Sequence, residues 1–133
     1  MHASNVGERQ LTELDFTRLF KFVAAGRMPL LADLLNAADV VPAQAIPADV
    51  VTMYSRFVIR DLKLQRRQIL TLCYPDDAEP AKGFISVLSP AGTGLLGLPA
   101  GALARWDGPE GESSVAQIEE ILFQPEATGD YVT

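Results

Sequence analysis

The side chains able to do chemistry are few, and their spacing suits little chemistry. The one histidine, His2, lies in a polar leading stretch, where a general base would lack fixed geometry. The one cysteine, Cys73, sits in the apolar run Ile69 to Tyr74. It has no second cysteine to pair with, and its surroundings suit a small buried hydrophobe better than an activated thiol. No His/Cys spacing suits zinc. Asp76, Asp77 and Glu79 cluster between Pro75 and Pro80, without the spacing and terminal Glu of a calcium loop. Glu119 and Glu120 are adjacent on an expected strand, so they point to opposite faces and cannot act as one acid/base pair. Gly92-Thr93-Gly94 before Leu95-Leu96-Gly97 superficially suggests a phosphate loop. The Gly-Lys-Ser/Thr ending is missing, and the glycines fit a tight turn and a helix end. Trp106 fits core or sheet packing. The expectation is no catalytic residue, no metal site and no cofactor.

What stands out instead is a surface for packing or docking. Ile85 to Leu98 reads as a buried strand, a Ser89-Pro90 stop, and one short apolar helix closed by Gly97. It contains no acid, base or metal ligand. The 133 residues, 48% hydrophobic and 21% charged, suffice for one domain plus a small appendage. The lone cysteine fits a reducing compartment. No apolar run approaches the ~20 residues of a membrane span, and the first ten residues lack the apolar centre of a signal peptide. A cytoplasmic protein is expected.

The net charge of −6 is unevenly spread. Arg56, Arg60, Lys63, Arg66 and Arg67 lie close together with only Asp61 among them. No Lys or Arg follows Arg105, while seven carboxylates from Asp107 to Asp130 do. An acidic chain lacks the broad basic surface that autonomous nucleic-acid binding needs. The basic cluster can be read as two solvated strand faces joined by a turn, or as a patch facing an acidic protein.

These features need elements to position them. Residues 1–9 are polar and read as a flexible tail. From Gln10 to Ala25, Leu11, Leu14, Leu19, Phe22 and Val23 fall at helical spacing. Gly26 suits a helix end and Pro29 the start of another, which carries Leu30, Leu31, Leu34 and Leu35. The spacing predicts a short antiparallel helical hairpin over 10–40, with apolar stripes exposed unless the helices pair or meet a second chain. Pro42 and Pro47 mark a linker, 41–49. Beyond it the period becomes two. Strands are predicted at Val51–Arg60, Gln68–Tyr74, Phe84–Ser89, Leu103–Asp107 and Ser114–Phe123, with a helix at Ala91–Gly97. The fold class is α+β: a hairpin, then a mainly antiparallel sheet of about five strands wrapped on one short helix over 50–133.

Several ordered motifs carry a family resemblance. Asp49-Val50-Val51-Thr52-Met53-Tyr54-Ser55-Arg56 is similar to an Asp-Val-Val-Thr-Met-Asn-Ser-Arg signature, with Tyr54 in place of Asn. Thr71-Leu72-Cys73-Tyr74-Pro75, the Ser86-to-Leu98 segment and Gln124-to-Tyr131 follow in order; Leu35-Asn36-Ala37 matches more weakly. Together they resemble the Rnk family, regulators of nucleoside diphosphate kinase within the Gre transcription elongation factor superfamily.

The resemblance implies an FKBP-like C-terminal domain and binding to RNA polymerase at the rim of its secondary channel. It places that contact at Ser89 and Pro90, with Ala91 and Leu95 beside them. The same residues also make a sound strand-to-helix junction, so docking and packing roles both stay open. Gre factors carry a long coiled coil whose acidic tip helps hold a catalytic Mg²⁺. Here each helix has about 10 to 15 residues, a reach of roughly 15–22 Å. The predicted tip, Gly26-Arg27-Met28, has no carboxylate. The expected function is a non-enzymatic polymerase-binding regulator that does not stimulate transcript cleavage and competes with Gre factors. The family name supplies an alternative, contact with nucleoside diphosphate kinase, direct or indirect. Fold analogy supplies another, peptidyl-prolyl isomerisation, for which the sequence offers no aromatic substrate pocket.

Overall fold

The computed structural model describes residues 9–26 and 28–132; His2 and Arg27 lie outside the described residues. The first elements are strand β1 (Gln10–Thr12), helices α1 (Glu13–Ala25) and α2 (Pro29–Ala37), and strand β2 (Asp39–Val41). β1 and β2 pair in parallel, with Leu11 opposite Val40. The helix pair is therefore the crossover between two paired strands. The helical spacing from Gln10 overstates α1 by three residues because Thr12 is its cap. Thr12 is extended, and its side-chain oxygen accepts the Asp15 N–H at 3.0 Å. Residues ahead of a cap lie outside the helix, so Leu11 is free to enter a strand. Pro29 occupies the first turn of α2, where its missing N–H costs nothing.

The rest of the chain builds β3 (Arg56–Asp61), β4 (Arg66–Cys73), β5 (Phe84–Ser86), α3 (Pro90–Leu95), β6 (Leu103–Asp107) and β7 (Ser113–Phe123). The main sheet has the order β5-β4-β3-β7-β6. Only the β4–β5 pair is parallel. The fold is α+β with a mainly antiparallel sheet of five strands, and two register shifts between β3 and β7 add curvature.

Two strands are shorter than their alternation predicts. β5 ends at Ser86 because the chain turns there: the Ser86 carbonyl accepts the Ser89 N–H at 3.0 Å. β3 begins at Arg56, and Val51 to Ser55 form a tight turn instead. Thr52 and Ser55 are both fully buried. The Thr52 N–H donates to Ser55 Oγ at 2.8 Å, and the two hydroxyls lie 2.8 Å apart. Two alternating positions thus face inward as a polar pair.

Tyr54 holds the left-handed conformation at the tip of this turn, with φ 67°. The signature residue at this position, Asn, tolerates that region; most side chains do not. Tyr54 is retained by its neighbours. Its ring lies 5.8 Å from that of Tyr74, tilted by 54°, and its hydroxyl donates to Asp77. Tyr54→Asn is expected to remain within about 1 kcal/mol of the parent, as relief of the backbone offsets the lost ring contact. Tyr54→Val combines that loss with a β-branched side chain at positive φ and is expected to cost about 2–3 kcal/mol. Urea unfolding of the pair checks this; equal stability would contradict the turn.

One buried cluster spans the whole assembly. Leu19 of α1 and Leu31, Leu34 and Leu35 of α2 join Met53, Phe57, Leu72, Leu96 and Ile118. Each buried leucine contributes about 2 kcal/mol of transfer free energy. The inner side of the main sheet and α3 thus cover most of the helical stripes, while Leu30 stays 63% exposed. The stacked rings of Phe22 and Tyr74, 6.1 Å apart, tie the end of α1 to the end of β4.

Candidate docking surface

α3 is short, and side chains outside it hold both ends. Ser89 caps its start: its Oγ accepts the Gly92 N–H at 3.0 Å while its hydroxyl donates to the Ser86 carbonyl at 2.7 Å. Pro90 fills the first helical position. Thr93 donates its hydroxyl to the Val87 carbonyl at 2.7 Å, anchoring the helix to the segment before it. At the far end, Arg9 reaches across the chain. Its Nη1 donates to the Leu96 carbonyl at 2.7 Å and the Thr93 carbonyl at 3.2 Å, and its Nη2 to the Gly94 carbonyl at 3.2 Å. Guanidinium donors satisfy the last-turn carbonyls that the helix itself leaves unpaired. Arg9 is thus a fixed element, although its polar neighbours assign it to a flexible tail.

This scaffold leaves Pro90 exposed as a ridge. A groove of 220 Å³ lies on one side, lined by Met28, Pro29, Leu30, Leu31 and Leu88. A second, of 360 Å³, lies on the other, lined by Leu30, Asp33, Arg105, Trp106 and Asp107. The first groove is apolar; the second carries charges of both signs.

The residues singled out from the sequence divide as follows. Pro90 is exposed, and Ser89 and Ala91 are half-buried. The Ser89 hydroxyl is engaged by the cap. Leu95 is fully buried, so its side chain holds α3 on the core and is not available to a partner. At the tip, Gly26 is exposed and Met28 half-buried. The structure brings the tip and the Ser-Pro segment together: Met28 and Pro90 line the same groove. The described tip residues carry no carboxylate, and no group of three or more His, Cys, Asp or Glu among the described residues could hold a metal ion. Cys73 is buried, and its thiol donates to the Ile85 carbonyl at 3.4 Å.

Two further residues escape sequence reasoning. Arg9 carries no local signal. Asp15 does carry one, the Thr-x-x-Asp spacing of a capping box with Thr12, but that spacing marks a helix start and says nothing of burial. Asp15 is 1% exposed, and its Oδ2 accepts the Met53 N–H at 3.2 Å. Burial pushes its pKa up to about 7, opposed by the Met53 N–H and reinforced by the Glu126 carboxylate. Glu126 in turn accepts the Thr52 hydroxyl at 2.7 Å.

The curled five-stranded sheet around a Ser-Pro-capped helix gives the chain a GreA/GreB-like fold. A transcription elongation factor GreA/GreB structure from Nitrosomonas europaea superposes with a TM-score of 0.72 at 33% identity, over 87% of this chain and 98% of that one. Residues 46–123 match the family described as transcription elongation factor, GreA/GreB, C-term, and the chain belongs to this family. A regulator of nucleoside diphosphate kinase from Escherichia coli K12 is 38% identical over 106 residues, covering 77% of this chain and 78% of the relative. A transcription elongation factor GreA from Amoebophilus asiaticus is 30% identical over 84% of this chain and 70% of its own length. No helix among the described residues is long and apolar enough to cross a membrane.

Proposed function

We propose that this protein is a non-enzymatic cytoplasmic regulator that binds RNA polymerase near its secondary channel through the surface around Pro90, without stimulating transcript cleavage. The observation that carries this reading is the exposed Pro90, held rigidly by Ser89 on one side and by the Arg9-capped helix on the other. A pre-formed, partly apolar ridge flanked by grooves suits protein contact. The helical segment supports the second half of the reading. α1 has 13 residues and α2 nine, so α1 reaches only about 20 Å. The hairpin tip lies beside Pro90 through Met28 and offers no described carboxylate to a metal ion. Bound at the rim, it occupies space that a Gre factor needs and contributes no cation ligand.

The name of the Escherichia coli relative favours a second reading, regulation of nucleoside diphosphate kinase through direct or indirect contact. Pull-down separates the two. The tagged chain is expected to retain core RNA polymerase at low salt, and Pro90→Ala to weaken retention about 10-fold with little change in Tm, since an exposed first-turn position contributes little to stability. Stalled elongation complexes are expected to show no faster transcript cleavage, and added Gre factor to lose activity as this protein is titrated in. Retention of the kinase without the polymerase would replace the first reading with the second.

A further inference from the structure

Five of the chain's 11 Lys and Arg residues lie between Arg56 and Arg67, and none lines the grooves beside Pro90. The register gives most of them a face of their own. Arg56 stands opposite Thr71, Val58 opposite Ile69, and Arg60 opposite Arg67. Directly paired residues share one face of a sheet. Phe57, Ile59, Leu70 and Leu72 take the other face, with α3 and the helical segment. The outer face extends sideways, because Thr71 pairs with Phe84 and Arg56 with Phe123. Ile69 is 50% exposed, Phe84 37% and Phe123 46%. A depression of 340 Å³ lies there, lined by Val58, Arg67, Gln68 and Ile69.

The cations on this face are organised. Arg60 and Arg67 are like charges placed directly opposite, an arrangement that repels. Glu119 of β7 reconciles them, taking Nε of each at 2.7 Å. Both guanidinium groups keep other N–H donors toward solvent, and Arg56, on the same face, forms no ion pair among the described residues. Glu120 also pairs with Val58 on this face. Arg56, Arg60 and Arg67 outweigh the carboxylates of Glu119 and Glu120 by one charge, so in a chain of net charge −6 the face is locally cationic and studded with exposed apolar side chains. A duplex would use the charges and leave Ile69, Phe84 and Phe123 wet, and a single strand stacking its bases on Phe84 and Phe123 would bring its phosphates against Glu119 and Glu120. A polypeptide can use both.

We propose that the outer face of the main sheet, centred on Ile69 and Arg67, is a second docking surface for a protein segment that carries carboxylates on either side of an apolar side chain. It lies across the sheet from α3, so both surfaces can be occupied at once, and it stands whether or not Pro90 meets the polymerase.

The test titrates the ¹⁵N-labelled full chain with a short amphipathic Leu/Glu peptide, a matched Leu/Lys peptide and a single-stranded oligonucleotide. Amide shifts with the Leu/Glu peptide are expected along 56–71 and near Phe123, with affinity falling as salt rises. Arg56→Glu, which breaks no ion pair, and Ile69→Thr, which keeps a strand-forming side chain, are each expected to weaken binding about 10-fold or more with an unchanged amide spectrum elsewhere. Pro90→Ala is expected to bind like the parent. Absence of shifts, shifts centred on another face, or tighter binding of the Leu/Lys peptide or the oligonucleotide would overturn the proposal.

Discussion

Gly92→Ala is expected to lower Tm by roughly 10–15 °C, a loss of about 3 kcal/mol or more. The reason is contact, since Gly92 has no positive φ. A β-carbon there would overlap the Ser86 carbonyl oxygen and lie 2.8 Å from its carbon and 2.9 Å from Val87 Cα. All three are backbone atoms, so no side chain can swing aside. The Ser86 carbonyl also accepts from the Ser89 hydroxyl and the Ser89 N–H. Displacing it breaks the cap and the turn before it. Gly101 provides the control. It has φ 93° and open space where a β-carbon would go, so Gly101→Ala carries only the conformational cost of about 1 kcal/mol. Thermal unfolding of both variants checks the difference. Equal losses would mean that the Ser86–Gly92 approach is looser than the structure has it. The same variant is expected to lose polymerase binding, because the ridge rests on that cap.

Asp15→Asn is expected to flatten a pH dependence that the parent shows between about pH 4 and pH 7. Burial raises the folded-state pKa of Asp15 to about 7, from 3.8. The folded protein therefore holds this proton more tightly than the unfolded chain. The stability it confers is complete below pH 4 and lost as pH rises through 7. Asparagine keeps a carbonyl oxygen for the Met53 N–H and never ionises. The variant should therefore gain on the parent as pH increases, by about 2–4 kcal/mol at pH 8. Glu119 acts in the opposite sense at lower pH: its hydrogen bond with Arg60 holds its pKa below the usual carboxylate value, so its contribution is lost on acidification. That contribution is common to both proteins and cancels in the difference. Urea unfolding from pH 4 to pH 8 measures the effect; a constant difference across the range would contradict a buried, protonated Asp15.

The parts of this fold legible in the sequence are those fixed by local periodicity. β6 and β7 are readable almost to the residue because turn residues bound them on one side and their strand-like runs are long, although Glu119-Glu120 breaks the alternation of β7 where the register shifts. The Ser89-Pro90 helix start is equally local. What escapes depends on groups far apart in the chain. β1 and β2 have three residues each and exist through pairing across two helices, which no window of sequence contains. Val51 to Ser55 alternates like a strand, yet the hydroxyls of Thr52 and Ser55 meet each other and Glu126. The candidate surface was legible at Pro90 and illegible at Leu95, whose apolar side chain suits a core and an interface alike. The approach of Met28 to Pro90 is the largest gap, since helical spacing gives the hairpin's length but not the direction it takes.

The continuous core fixes how this molecule can change shape. Drawing α2 away from α3 would bring Leu31, Leu34 and Leu35 into water, so the spacing between Met28 and Pro90 is set when the chain folds. A partner that closes over both meets them as one rigid template, and little configurational entropy remains to be lost on association. The heat-capacity change of such an encounter should then reflect only the apolar area covered, without the larger signature of coupled folding. A long, independently mobile arm gives a factor reach. In this chain the short helical pair is held on the core, and the geometry between Met28 and Pro90 is fixed.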